Sequence, residues 1–144
     1  MGKRQEEVAL KFIGYFRDTW PENLDDPLEL CTEDCYYQSI VPTTEPIRGK
    51  AAIKAKWEKI KAEYGDQRHD MKGWGSSDRF VFTERTDWTK PGDTWYPIPL
   101  VAVFEVNEDG KIYAWREYLD GGNIARQMGM KVEDLEQSLT MPSS

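Results

Sequence analysis

At 144 residues the chain has room for one domain with a substantial core, and 39% hydrophobic with 31% charged residues is an ordinary globular composition. A formal net charge of -7 excludes the basic footprint that nucleic-acid binding needs. No apolar run reaches bilayer or signal-peptide length, so the expectation is a cytoplasmic protein with no membrane partner.

In chain order, Val8, Phe12, Tyr15, Phe16 and Trp20 recur at helical intervals until Pro21 stops the run. A short helix is expected around Leu24 to Leu30, and Asp34 to Val41 reads as a strand closed by the loop Pro42 to Pro46. Cys31 and Cys35 have no partners for a disulfide framework or a zinc site and read as free thiols. Gly49 to Tyr64 is a helix with Ile53, Trp57, Ile60 and Tyr64 as its buried stripe; Lys50, Lys54, Lys56, Lys59 and Lys61 read as its solvated face.

Beyond Gly65 the pattern changes to four strands: His69 to Trp74, Arg79 to Trp88, Thr94 to Val106 and Lys111 to Asp120. Gly75-Ser76-Ser77, Lys90-Pro91-Gly92-Asp93 and Asn107-Glu108-Asp109-Gly110 supply turn chemistry between them. A short helix after Gly121-Gly122 and a polar tail from about 140 complete the chain. Residues 1–144 thus read as one α+β domain, with N-terminal helices packed on a curved, mostly antiparallel sheet around a pocket. Ile98 to Val106, apolar on both faces, belongs in the middle of the sheet. Six Trp and seven Tyr exceed what the core requires, which points to an aromatic-walled cavity.

Certain charges sit where apolar residues are expected. Arg85 and Asp87 are two apart on one strand, sharing a face with Val81 and Thr83. Arg116, Tyr118 and Asp120 share a face at the end of the last strand, and Tyr37 and Ser39 share one on the first. An arginine between two aspartates, with hydroxyls nearby, splits the carboxylates into an acid and a base. Arg85-x-Asp87 fits a surface ion pair as well, and Asp120 before Gly121-Gly122 also fits a helix N-cap. His69, the only histidine, lies in no serine or cysteine motif, and neither a phosphate loop nor metal-ligand spacing occurs. What remains is chemistry run by carboxylates, arginine and hydroxyls.

Arg85-Thr86-Asp87, the hairpin into Ile98 to Val106, Trp115-Arg116-Glu117-Tyr118-Leu119-Asp120, and Tyr36-Tyr37-Gln38-Ser39 followed by Arg48-Gly49 together resemble the limonene-1,2-epoxide hydrolase family. The resemblance implies an NTF2-like (SnoaL-like) cone, a homodimer, and cofactor-independent addition of water to a small apolar epoxide without a metal. It makes Asp120 the base, Asp87 the acid, Arg85 the holder of both carboxylates, and Tyr37 and Ser39 the water-binding pair. Ser39 departs from the family's asparagine, offering one short hydroxyl in place of an amide. Two alternatives stand beside this: another NTF2-like enzyme, an isomerase (with Tyr15 on the first helix) or a polyketide cyclase, and a non-catalytic ligand-binding protein of the same fold.

Overall fold

The computed structural model describes residues 2–139; the polar tail expected from about 140 lies outside them. Helix α1 (Gly2–Thr19) buries Gln5, Ala9, Phe12 and Ile13, while Val8, Phe16 and Trp20 of the expected stripe are half-buried against the same core. After α2 (Asp25–Glu29), strand β1 (Cys31–Gln38) pairs antiparallel with β2 (Ile47–Arg48), a two-residue strand that the sequence pattern does not announce. Helix α3 (Lys50–Tyr64) leads through Gly65 into β3 (Asp66–Ser77). Gly65 has φ 71°, and a Cβ there would stand 2.2 Å from the Lys90 carbonyl oxygen, so only glycine fits this corner. Strands β4 (Phe80–Lys90), β5 (Tyr96–Val106) and β6 (Ile112–Leu119) complete the meander, and helices α4 (Gly121–Met128) and α5 (Val132–Ser138) follow.

The sheet order is β2-β1-β6-β5-β4-β3, antiparallel except where β1 runs parallel to β6. β5 lies inside the sheet, as its two-sided apolar pattern requires. Helices pack on one face of this curved, unclosed sheet, giving the expected α+β, NTF2-like architecture. Two details differ from the sequence expectation. The β3–β4 turn is Asp78-Arg79, with Asp78 at φ 55°, while Gly75-Ser76-Ser77 continue the strand. Aspartate tolerates this left-handed conformation through local hydrogen bonding. α5 adds a second helix between the expected short helix and the tail expected from about 140.

Aromatic rings fill the inner face: Phe12 lies 4.9 Å from Trp115, Phe16 stands edge-on to Trp57 at 4.9 Å, and Tyr37 stacks on Trp115 at 4.9 Å. Cys31 and Cys35 are both free and buried. Among the described residues no helix is long and apolar enough to cross a membrane.

Lys56 corrects the expectation of a uniformly solvated lysine face. It falls in register with Ile53 and Ile60, is 1% exposed, and its Nζ has no hydrogen-bond partner among the described residues. Burial, reinforced by the charge of Lys59, pushes its ammonium down to about 7. Between about pH 7 and the ordinary lysine range the unfolded chain therefore holds more protons than the native one, so this group makes stability rise with pH. Lys56→Met should raise Tm most at or below pH 7, with the gain shrinking toward pH 10; thermal unfolding across that range measures it.

Candidate active site

The inward face of β4 carries Val81, Thr83, Arg85 and Asp87, the first three of them buried. Arg85 Nε donates to Asp87 Oδ1 at 2.8 Å and Nη1 to the Thr83 hydroxyl at 3.0 Å. Its Nη2 contacts Asp87 Oδ2 at 3.3 Å and donates to Glu117 Oε2 at 2.8 Å. Arg85 pairs with Leu100 and Glu117 with Ala102, so the guanidinium reaches diagonally across β5, where the small side chain of Ala102 leaves it room. The Tyr37 hydroxyl donates to Glu117 Oε1 at 2.6 Å. The result is a continuous chain of groups, Asp87, Arg85, Glu117 and Tyr37, with Arg85 and Tyr37 buried and the two carboxylates half-buried.

The arginine's second carboxylate is therefore Glu117, and the expectation that placed Asp120 there is corrected. Asp120 is exposed and caps α4, accepting the Asn123 backbone N–H at 3.0 Å. The physical reason is strand parity. Trp115, Glu117 and Leu119 face inward, whereas Arg116 and Tyr118 face out, with Arg116 bound to Glu105 at 2.8 Å. A lone glutamate between Trp115 and Leu119 on the apolar face was the available signal.

Ser39 lines the cavity and is buried, but its hydroxyl has partners of its own. It donates to the Leu139 carbonyl at 3.2 Å and shares a 3.1 Å hydrogen bond with the Thr44 hydroxyl. Ser39→Asn should consequently lower Tm, because the larger amide must displace these contacts; thermal unfolding measures it, and an unchanged Tm would show that the hydroxyl is not held by them.

Burial opposes charge on Arg85, yet Asp87 and Glu117 hold its pKa above the ordinary arginine value. Burial and the charge of Asp87 push the Glu117 carboxyl up, against the pull of Arg85 and the Tyr37 hydrogen bond. Burial raises Tyr37 as well, with Glu117 adding to it, so the phenol stays protonated. His69, which lies in no sequence motif, also lines this cavity, its Nε2 3.5 Å from Asp87 Oδ2.

These groups stand in the wall of a cavity of about 140 Å³, otherwise lined by residues such as Phe12, Phe16, Trp57, Leu100, Leu119 and Leu135. An engineered apolar cavity of ~150 Å³ holds benzene, which sets the scale of ligand that fits.

Residues 13–115 match the model of the SnoaL-like domain. The chain belongs to the SnoaL-like family. No curated protein matches this SnoaL-like chain in sequence. Among solved structures it is similar to an LEH-like epoxide hydrolase from M. tuberculosis (22% identity, 87% of this chain and 89% of that one, TM-score 0.73). It is also similar to SalBIII, described as an epoxide hydrolase/cyclase-like enzyme with a role in pyran ring formation in the polyether salinomycin (17%, 82% and 92%, 0.71). A third is a protein of ketosteroid isomerase-like fold from Catenulispora acidiphila (14%, 88% and 95%, 0.74). At these identities the likeness shows the fold, which SnoaL-like proteins of different activities share.

Proposed function

We propose that this chain is a cofactor-independent epoxide hydrolase that adds water to a small, largely apolar epoxide in one step. The observation that carries the reading is the Asp87–Arg85–Glu117 triad, with Tyr37 at its end, set in an apolar cavity. A binding pocket for an apolar molecule gains nothing from two half-buried carboxylates on one arginine, whereas an acid–base reaction needs them.

Glu117 takes the role first assigned to Asp120. With its pKa raised by burial it is a stronger base than a solvated carboxylate, and the Tyr37 hydroxyl lies beside it to steady the water. Water oxygen bonds to a ring carbon, its proton passes to Glu117, the carbon–oxygen bond of the epoxide opens, and Asp87 gives a proton to the departing oxygen. The mechanism requires one proton on the pair, carried by Asp87 when the epoxide binds. Arg85 stays charged throughout and keeps both at fixed positions.

Small cyclic and open-chain epoxides, incubated with dialysed protein and followed for vicinal diol, test this. Turnover of at least one that fits the cavity is expected, unaffected by chelator. No diol from any of them would end the proposal.

A second reading has one observation in its favour: Ser39 is committed to Leu139 and Thr44, so water has fewer protein partners than the resemblance implied. A hydroxyl on the substrate itself would then be the nucleophile, and the product a cyclic ether. An epoxy alcohol assayed for ether against triol separates the two readings.

A further inference from the structure

The proposed reaction needs the shared proton on Asp87, while burial alone draws it to Glu117. Something near Asp87 has to favour the protonated acid there. Asp87 accepts from Arg85 at both oxygens, Oδ1 from Nε at 2.8 Å and Oδ2 from Nη2 at 3.3 Å, so Oδ2 is the less closely held of the two. Directly across from Asp87 in the β3–β4 register stands His69, whose Nε2 is 3.5 Å from that same Oδ2. Its side chain is 7% exposed, and its ring packs against Phe16 at 6.1 Å. Nδ1 has no hydrogen-bond partner among the described residues. Contacts of this kind are often long in an unliganded site and tighten on binding.

We infer that His69 is a positioning residue: a neutral imidazole that accepts a hydrogen bond at Nε2 from protonated Asp87 and so keeps the pair's proton on the acid until an epoxide oxygen takes it. This rests on the proposed hydrolysis for its purpose, but not for its geometry. The charged groups around the ring are Asp87 and Arg85 on β4, Asp70 on β3 and Arg17 on α1. Burial, joined by Arg85, outweighs the two aspartates and lowers the imidazole below its ordinary value, which leaves it neutral at pH 7 with one nitrogen able to accept. With Nε2 as acceptor the proton must sit on Nδ1, the less common tautomer of free histidine.

His69 is the only histidine, so a ¹⁵N-histidine-labelled sample reports it without ambiguity. At pH 7.5 the unmodified protein is expected to show Nδ1 protonated and Nε2 bare and hydrogen-bonded. A proton on Nε2, or on both nitrogens, would overturn the inference whether or not epoxides are turned over. In kinetics, His69→Phe should lower kcat by roughly 10-fold with little change in KM, and move the alkaline limb of the kcat profile to lower pH, since Asp87 loses its proton earlier. His69→Asn, whose carbonyl oxygen still accepts, should restore part of both. A uniform loss at every pH, or no loss, would contradict the role. Absence of hydrolysis in the unmodified protein, with the expected tautomer present, would fail the proposed reaction and leave the hydrogen bond standing.

Discussion

Glu117→Gln should reduce epoxide turnover by at least ~10²-fold, because an amide cannot take the proton that attacking water must lose. The near-isosteric amide can still accept from Arg85 through its oxygen while its NH₂ donates to the Tyr37 hydroxyl, so the fold should be kept. The control is the residue that the resemblance favoured. Asp120→Ala removes an exposed N-cap, so it should cost about 1 kcal/mol of stability and leave turnover within about twofold. Diol formation by the two variants, alongside their denaturant midpoints, decides between the two carboxylates. Turnover lost with Asp120 and kept without Glu117 would reverse the assignment. Asp87→Asn should also fall by ~10²-fold, and the double Asp87→Asn, Glu117→Gln variant by far less than the product, since the pair acts as a unit.

The largest stability effect is expected at Arg85. Arg85→Met leaves two half-buried carboxylates facing each other without a counter-charge, and removing one partner of such a cluster typically costs ~3–5 kcal/mol. The sign of its pH dependence follows. In the variant the native carboxylates bind protons at higher pH than in the unfolded chain, so native stability grows as pH falls. The deficit relative to the parent should be greatest near pH 7 and shrink toward pH 4–5. Arg85→Met combined with Asp87→Asn and Glu117→Gln should recover much of the loss, because no unpaired charge remains. Urea unfolding of the three proteins at pH 7 and pH 5 measures this. A variant as stable as the parent at pH 7 would mean that the carboxylates are better solvated than their 16% and 13% side-chain exposure indicates.

The fold was legible wherever one physical signal dominated. Phe12, Ile53 and Trp57 mark helix faces by their spacing, and the two-sided apolar run of β5 places it inside the sheet. β2 escaped notice because two residues carry no periodicity, and the β3–β4 turn moved because a single left-handed Asp78 makes it possible. In the site, Arg85 and Asp87 were readable from Val81 and Thr83 on their own face, with Tyr37 on the next motif. Asp120 does share the parity of Arg116 and Tyr118, but that is the outward face of β6, and at the strand–helix junction a cap and a site carboxylate have the same sequence pattern. Lys56 and His69 depend on tertiary neighbours: a lysine among lysines looks solvated until its helix is packed, and the partner of His69 is fixed by the β3–β4 register alone.

The central claim, direct attack by water activated between Glu117 and Asp87, is tested most directly by a single turnover in H₂¹⁸O with enzyme in excess over epoxide. The account predicts one ¹⁸O in the diol from that first turnover, with the Asp87 and Glu117 carboxylates unlabelled. An unlabelled diol from that first turnover, with ¹⁸O in the Asp87 or Glu117 carboxylate, would mean a covalent ester intermediate and would contradict it.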